Sequence, residues 1–132
     1  MKKIYVALLL VAILILSGCG NKITGKVFAD LQKDAINNGE TTIIEVDGEN
    51  TGNVPADVIL KIIPEDESKL VISYPGSLED TIQPSETIGT KRINVQGFTD
   101  HTSTKYWIKA QLINKADNKV LDEKIIWITV RK

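Results

Sequence analysis

From Thr41 to the end of this chain the apolar residues recur at every second position, and turn-forming residues interrupt them at short intervals. No other feature narrows the fold as much. A side chain returns to the same face every two residues only in an extended strand, so each run reads as a strand with one buried face. Thr42, Ile44 and Val46 alternate with Ile43, Glu45 and Asp47. After Pro55, Ala56, Val58, Leu60 and Ile62 alternate with Asp57, Ile59, Lys61 and Ile63. The clearest run is Ser103 to Ile113, where Tyr106, Ile108, Ala110 and Leu112 oppose Lys105, Trp107, Lys109 and Gln111. A last strand spans Val120 to Val130, and no stretch keeps the helical period beyond one turn.

The remaining segments are less regular. Leu70 to Tyr74 reads as a short strand ended by Pro75-Gly76. Thr87 to Thr99 reads as another, with Ile88, Ile93, Val95 and Phe98 as its apolar positions. The change of parity between Val95 and Phe98 predicts a bulge near Gly97. Ser77 to Pro84 reads as a connection, with Leu78 and Ile82 plugging the end of the core. Val27 to Ile36 suits either a helical turn or a strand; the preferred reading is an edge strand near Lys26–Leu31, then a turn at Asn37-Asn38-Gly39. About seven strands result, which predicts an all-β, antiparallel β-sandwich.

The N-terminal residues have a different composition. Lys2 and Lys3 precede a thirteen-residue apolar run, Ile4 to Leu16, which leads into Leu16-Ser17-Gly18-Cys19. The run is shorter than the roughly 20 residues of a membrane span and matches the core of a signal segment. This leader resembles a bacterial lipoprotein signal with Leu-Ser-Gly-Cys as its lipobox. The alternatives are an uncleaved anchor or a pilin-like assembly segment. The resemblance implies a signal peptide at 1–18, lipid on the Cys19 sulfur, a tether over 19–25 and a domain over 26–132. Several acyl chains would hold the protein stably on the outer side of the cell membrane, or on an outer membrane. Cys19 is the only cysteine, so such a domain has no disulfide and relies on its core.

Two short motifs carry a second resemblance. Asn50-Thr51-Gly52-Asn53-Val54-Pro55-Ala56 and Ile82-Gln83-Pro84-Ser85-Glu86-Thr87 each lead towards an alternating strand. They resemble the Asn-x-Gly-x-x-x-Ala and Ile-x-Pro-Gly-Glu-Thr segments of immunoglobulin-like cell-surface modules of the CARDB and NEW3 type. Ser85 stands where glycine is usual. The resemblance implies an immunoglobulin-like sandwich and a role as an accessory, scaffold or binding module, without naming a ligand.

Chemistry is sparse. Leaving Lys2 and Lys3 aside, 14 basic residues face 17 acidic ones, and the only adjacent basic pair left besides the terminal Arg131-Lys132 is Lys91-Arg92. Nucleic acid is therefore a poor partner. One histidine, His101, and one cysteine are too few for a zinc or copper site, so no metal and no cofactor are expected. Glu65-Asp66-Glu67 lacks the spaced carboxylates of a calcium loop and reads as a solvated turn. No serine lies in a Gly-x-Ser-x-Gly elbow, and a triad would depend on His101 with Asp100 beside it. The expectation is a protein that is not an enzyme.

The aromatic residues are the remaining candidates. The alternation around Tyr106 points Trp107 outward. On the last strand Ile126, Ile128 and Val130 share one parity, and Ile125 and Trp127 share the other. If the first set is buried, Trp107, Ile125 and Trp127 form an outer stripe for a protein partner, a second copy or a glycan. In the opposite register Trp127 is a core residue and Trp107 a lone surface aromatic. The expected function is a membrane-anchored module that binds or organises another envelope component. The alternative is a glycan- or solute-binding lipoprotein assisting a transporter or enzyme.

Overall fold

A computed structural model describes residues 20–74 and 76–132; the leader, Cys19 and the Pro75 half of the predicted Pro75-Gly76 turn lie outside the described residues. Among the described residues nine strands form two sheets around one core. In chain order they are β1 (Gly25–Leu31), β2 (Ala35–Asn37), β3 (Thr41–Asn50), β4 (Ala56–Pro64), β5 (Leu70–Ser73), β6 (Glu79–Ile82), β7 (Lys91–Gly97), β8 (Ser103–Asn114) and β9 (Lys119–Arg131). One sheet has the order β1-β3-β7-β5, and the other β2-β9-β8-β4-β6.

The alternation in the sequence corresponds to burial. Thr42, Ile44 and Val46 of β3 point inward, as do Ala56, Val58, Leu60 and Ile62 of β4 and Tyr106, Ile108, Ala110 and Leu112 of β8. These residues meet in a single apolar cluster with Ile93, Val95, Ile128 and Val130. Every pairing is antiparallel except β2 with β9, which is parallel and joins Ala35 to Thr129. The two sheets also touch along one side, where the Val27 N–H donates to Asp122 Oδ2 at 2.9 Å.

Nine strands replace the expected seven or so. β2 and β6 contain only three and four residues, too few to display a period. Glu79, Asp80 and Thr81 of β6 are exposed, so only Ile82 marks its buried side, while Leu78 packs against the core just before it. The N-terminal edge strand forms as β1. The Thr87–Thr99 stretch becomes a strand only from Lys91, after Gly89 at φ 90°.

The irregularity predicted near Gly97 falls elsewhere. β7 pairs with β3 and β5 without a register shift, and Gly97 itself fills the inward position. A Cβ on Gly97 would lie 2.7 Å from Val130 Cγ2, so a larger residue there must displace the side chains packed between the sheets. Phe98 is merely out of phase, not displaced by a bulge. The register shift lies in the β8–β9 pair, where Leu112 faces Asp122 but Ile113 faces Val120. The extra residue, Leu121, turns to pack against the core.

The two sequence motifs join. Asn50, 1% exposed, ends β3 and donates from Nδ2 to the carbonyls of Val54 at 2.8 Å and Ile82 at 2.9 Å. Its Oδ1 accepts from the Gly52 N–H at 2.9 Å, and its own backbone pairs with Ser85 and Glu86. One asparagine thus ties together the ends of β3 and β6 and the start of β4.

The segment before β1 is sewn to this same joint. The Lys22 N–H donates to Asn53 Oδ1 at 2.7 Å, and Asn53 Nδ2 donates to the Gly20 carbonyl at 3.1 Å. The Asn53 and Thr51 amides donate to the carbonyls of Lys22 and Thr24. A Cβ on Gly52 would lie 2.1 Å from the Lys22 carbonyl oxygen, so glycine is required for this approach. Residues 20–24 therefore form a clasp on the 51–53 turn.

Candidate functional site

Register decides where the aromatic residues lie. Tyr106 pairs with Ile128 and Ile108 with Ile126, and their side chains turn toward the core. The intervening pair, Trp107 opposite Trp127, must face out, because adjacent strand residues point to opposite sides. Ile128 and Val130 are fully buried, whereas Trp127 is 49% exposed and Ile125 47%. The last strand thus takes the register that puts Ile125 and Trp127 beside Trp107 on the outer face of the five-stranded sheet.

The face is built in cross-strand rows, about 7 Å apart along the strands. One row pairs Lys105 with Thr129, and the next is Trp107 with Trp127. A third runs Ile63–Lys109–Ile125 across β4, β8 and β9, and a fourth Lys61–Gln111–Glu123. Ile63 extends the apolar stripe onto β4, a residue the aromatic pattern did not single out. Its signal was present: Ile59 and Ile63 are apolar on the outward parity of that strand, where a solvated face would be polar.

Charge is set into this stripe. Lys105 Nζ lies 5.1 Å from the centre of the Trp127 ring, and Lys109 Nζ lies 5.4 Å from that of Trp107. Both are cation–π distances, and the lysine stems cover part of each indole. Glu65, just past β4, accepts from the Trp107 backbone N–H at 2.9 Å and returns its own N–H to the Trp107 carbonyl at 3.0 Å. Gln111 donates to Glu123 at 2.7 Å, and Lys109 reaches the same carboxylate at 3.7 Å.

The other candidates are occupied with local structure. Asp66 accepts from the Ser68 hydroxyl at 2.6 Å and the Ser68 amide at 2.8 Å, and these bonds hold its carboxyl below the usual range. With Glu65 engaged by Trp107, the acidic turn is spread over separate tasks. Asp100 pairs with Lys69, whose ammonium holds that carboxyl low, so Asp100 does not orient His101. His101 lies exposed in its turn and donates its amide to Thr99 Oγ1 at 3.1 Å. Among the described residues no three His, Cys, Asp or Glu side chains converge as a metal site, and no helix is long and apolar enough to cross a membrane.

No protein-family model and no curated protein sequence matches the chain. Solved structures do. A fragment of Escherichia coli alpha-2-macroglobulin running from domain MG7 to the C-terminus is similar with a TM-score of 0.62 and 18% identity, over 83% of this chain and 17% of that one. Spo0M, a sporulation control protein of Bacillus subtilis, gives 0.59 and 17% identity, over 83% of this chain and 50% of that one. The CARDB domain of a Pyrococcus furiosus protein, in complex with di-metal ions, gives 0.52 and 12%, over 83% and 88%. This chain therefore spans a sixth of the first and half of the second. At such identities the likeness is one of fold alone, an all-β domain of two sheets shared over most of the chain.

Proposed function

We propose that this protein is a lipid-anchored module of the cell envelope that binds or organises another envelope component and catalyses no reaction. In this reading residues 1–18 are a signal peptide and Cys19 carries the lipid. Residues 26–132 are an immunoglobulin-like sandwich on the outer side of the cell membrane, or on an outer membrane. The leader composition supports the anchor, and the likeness in fold to a CARDB domain supports a binding module. The observation that carries the binding role is the Trp107–Trp127 pair with Ile125 beside it, on a face that no other element of the described chain covers.

Stability does not account for that pair. A cross-strand pair on a solvated face contributes only about 0.2–1 kcal/mol. Two tryptophans and two isoleucines in one outward stripe are the composition of a contact surface, where aromatic anchors carry most of the binding energy. The test has two parts. Cells given a labelled fatty acid incorporate it into the wild-type chain and not into Cys19→Ser. Immobilised protein retains a defined envelope component that Trp107→Ala and Trp127→Ala both lose. Labelling that survives Cys19→Ser refutes the anchor, and a component indifferent to both tryptophans refutes the face. Retention of a purified oligosaccharide instead would favour the glycan-binding alternative.

A further inference from the structure

We infer that the Trp107–Trp127 face recognises an acidic peptide segment of another protein, with Lys105 and Lys109 as the cations that receive it. The inference rests on the reading of this face as a partner surface and adds the chemistry of the partner. Leaving Lys2 and Lys3 aside, the chain has more acidic than basic residues, 17 against 14. The rows around the tryptophans reverse that balance. Lys61, Lys105, Lys109 and Arg131 point outward there, against only Glu65 and Glu123.

Both carboxylates are engaged, Glu65 by the Trp107 backbone and Glu123 by Gln111. Among the described residues Lys61, Lys105 and Arg131 make no ion pair, and Lys109 makes only the long one to Glu123. The face therefore presents unspent positive charge interleaved with aromatic surface, complementary to an acidic segment bearing apolar residues.

The position of the ammonium groups selects peptide over sugar. A sugar stacks on an open indole face, but here lysines lie over both rings. A carboxylate is a stronger partner for an ammonium than a ring quadrupole is. Drawing the lysines toward an incoming acid exposes indole surface for the apolar side chains beside it. The backbone of β8 is paired on both sides, to β4 and β9, so the segment docks across side chains and does not add as a strand at that position.

A displayed library of random twelve-residue peptides, selected on the full chain in detergent, tests this. Enriched sequences are expected to carry an excess of Asp and Glu with at least one aromatic or aliphatic residue. A synthetic peptide from that set should bind about tenfold or more weakly to Trp127→Ala. It should bind several-fold more weakly to Lys105→Gln and to Lys109→Gln, and more weakly as salt screens the pairs. Lys91→Gln, on the other sheet, should leave binding unchanged, and thermal melts check that each variant is folded. Enriched peptides without excess acid, indifference to both lysine changes, or no enrichment at all would overturn the acidic partner. A sulfated oligosaccharide that binds through the tryptophans would overturn it too, while leaving the face a binding surface. Loss of the envelope component through residues elsewhere would refute that underlying reading instead.

Discussion

Ser85 sits at φ 67°, in the left-handed region, at the third position of the turn Gln83-Pro84-Ser85-Glu86, closed by a 3.0 Å bond from the Glu86 amide to the Gln83 carbonyl. Proline second and positive φ third is the geometry of a type II turn, which favours glycine. A serine there carries a steric cost its side chain does not recover. Ser85→Gly should stabilise the domain by about 0.5–1 kcal/mol, less the extra entropy of an unfolded glycine, read from denaturant midpoints. Asn50 behaves oppositely. Asn50→Ala leaves two carbonyls and one amide without their partner, one of the bonds buried and two part-buried, and should cost about 3 kcal/mol. The motif resemblance pointed to both positions from sequence. That Asn50 binds the second motif was not legible there, because the contact joins residues 32 positions apart.

At the scale of elements, long strands were readable and short ones were not. β3, β4 and β8 alternate over nine or more residues, and their buried sets follow directly. β9 was ambiguous because both its parities are apolar around Ile125–Ile128, and only its pairing with β8 resolves the faces. Gly97 misled for a related reason: a missing side chain looks like a break in parity, yet the break is what lets Val130 and Ile36 approach. Gly97→Val should overpack that contact and cost about 1–3 kcal/mol in an equilibrium melt. The clasp gives a more local expectation. Asn53→Ala should raise amide exchange at Lys22 and Asn53 while shifting the global midpoint by about 1 kcal/mol or less. The turn that holds this polar stretch is 33 positions away in the chain, from Gly20 to Asn53, so no local pattern marks the contact.

For the whole molecule, three surface carboxyls that enter hydrogen bonds on folding contribute to the acid limb of stability. Glu40 is held low by the Asn37 amide and then by Lys33, Asp66 by Ser68, and Asp100 by Lys69. A carboxyl with a depressed folded pKa stabilises above its unfolded value and loses that contribution as pH falls through the folded one. Lys69 and Lys115 are raised by Asp100 and Glu79, so their contribution is present below the unfolded lysine value and is lost only in strong alkali. Stability attributable to these groups should be flat from about pH 6 to 9 and should decline below about pH 4. Thermal melts across that range check it; a step near neutrality would contradict it.

The clasp also fixes where load enters the domain. Gly25 pairs with Asn50 at the end of the sandwich that holds the Asn114–Lys119 pair, whereas Arg131 pairs with Ser103 at the opposite end. A pull between residue 20 and residue 132 therefore runs along the strands. β1 would have to slide on β3, and β2 on β9, with the ladder bonds of each pair sharing the force instead of parting one by one. Trp107 lies seven residues, roughly 24 Å, up β8 from the clasped end. In the anchored, partner-binding reading proposed above, a component docked at that height would load the clasp and β1 along the strand direction.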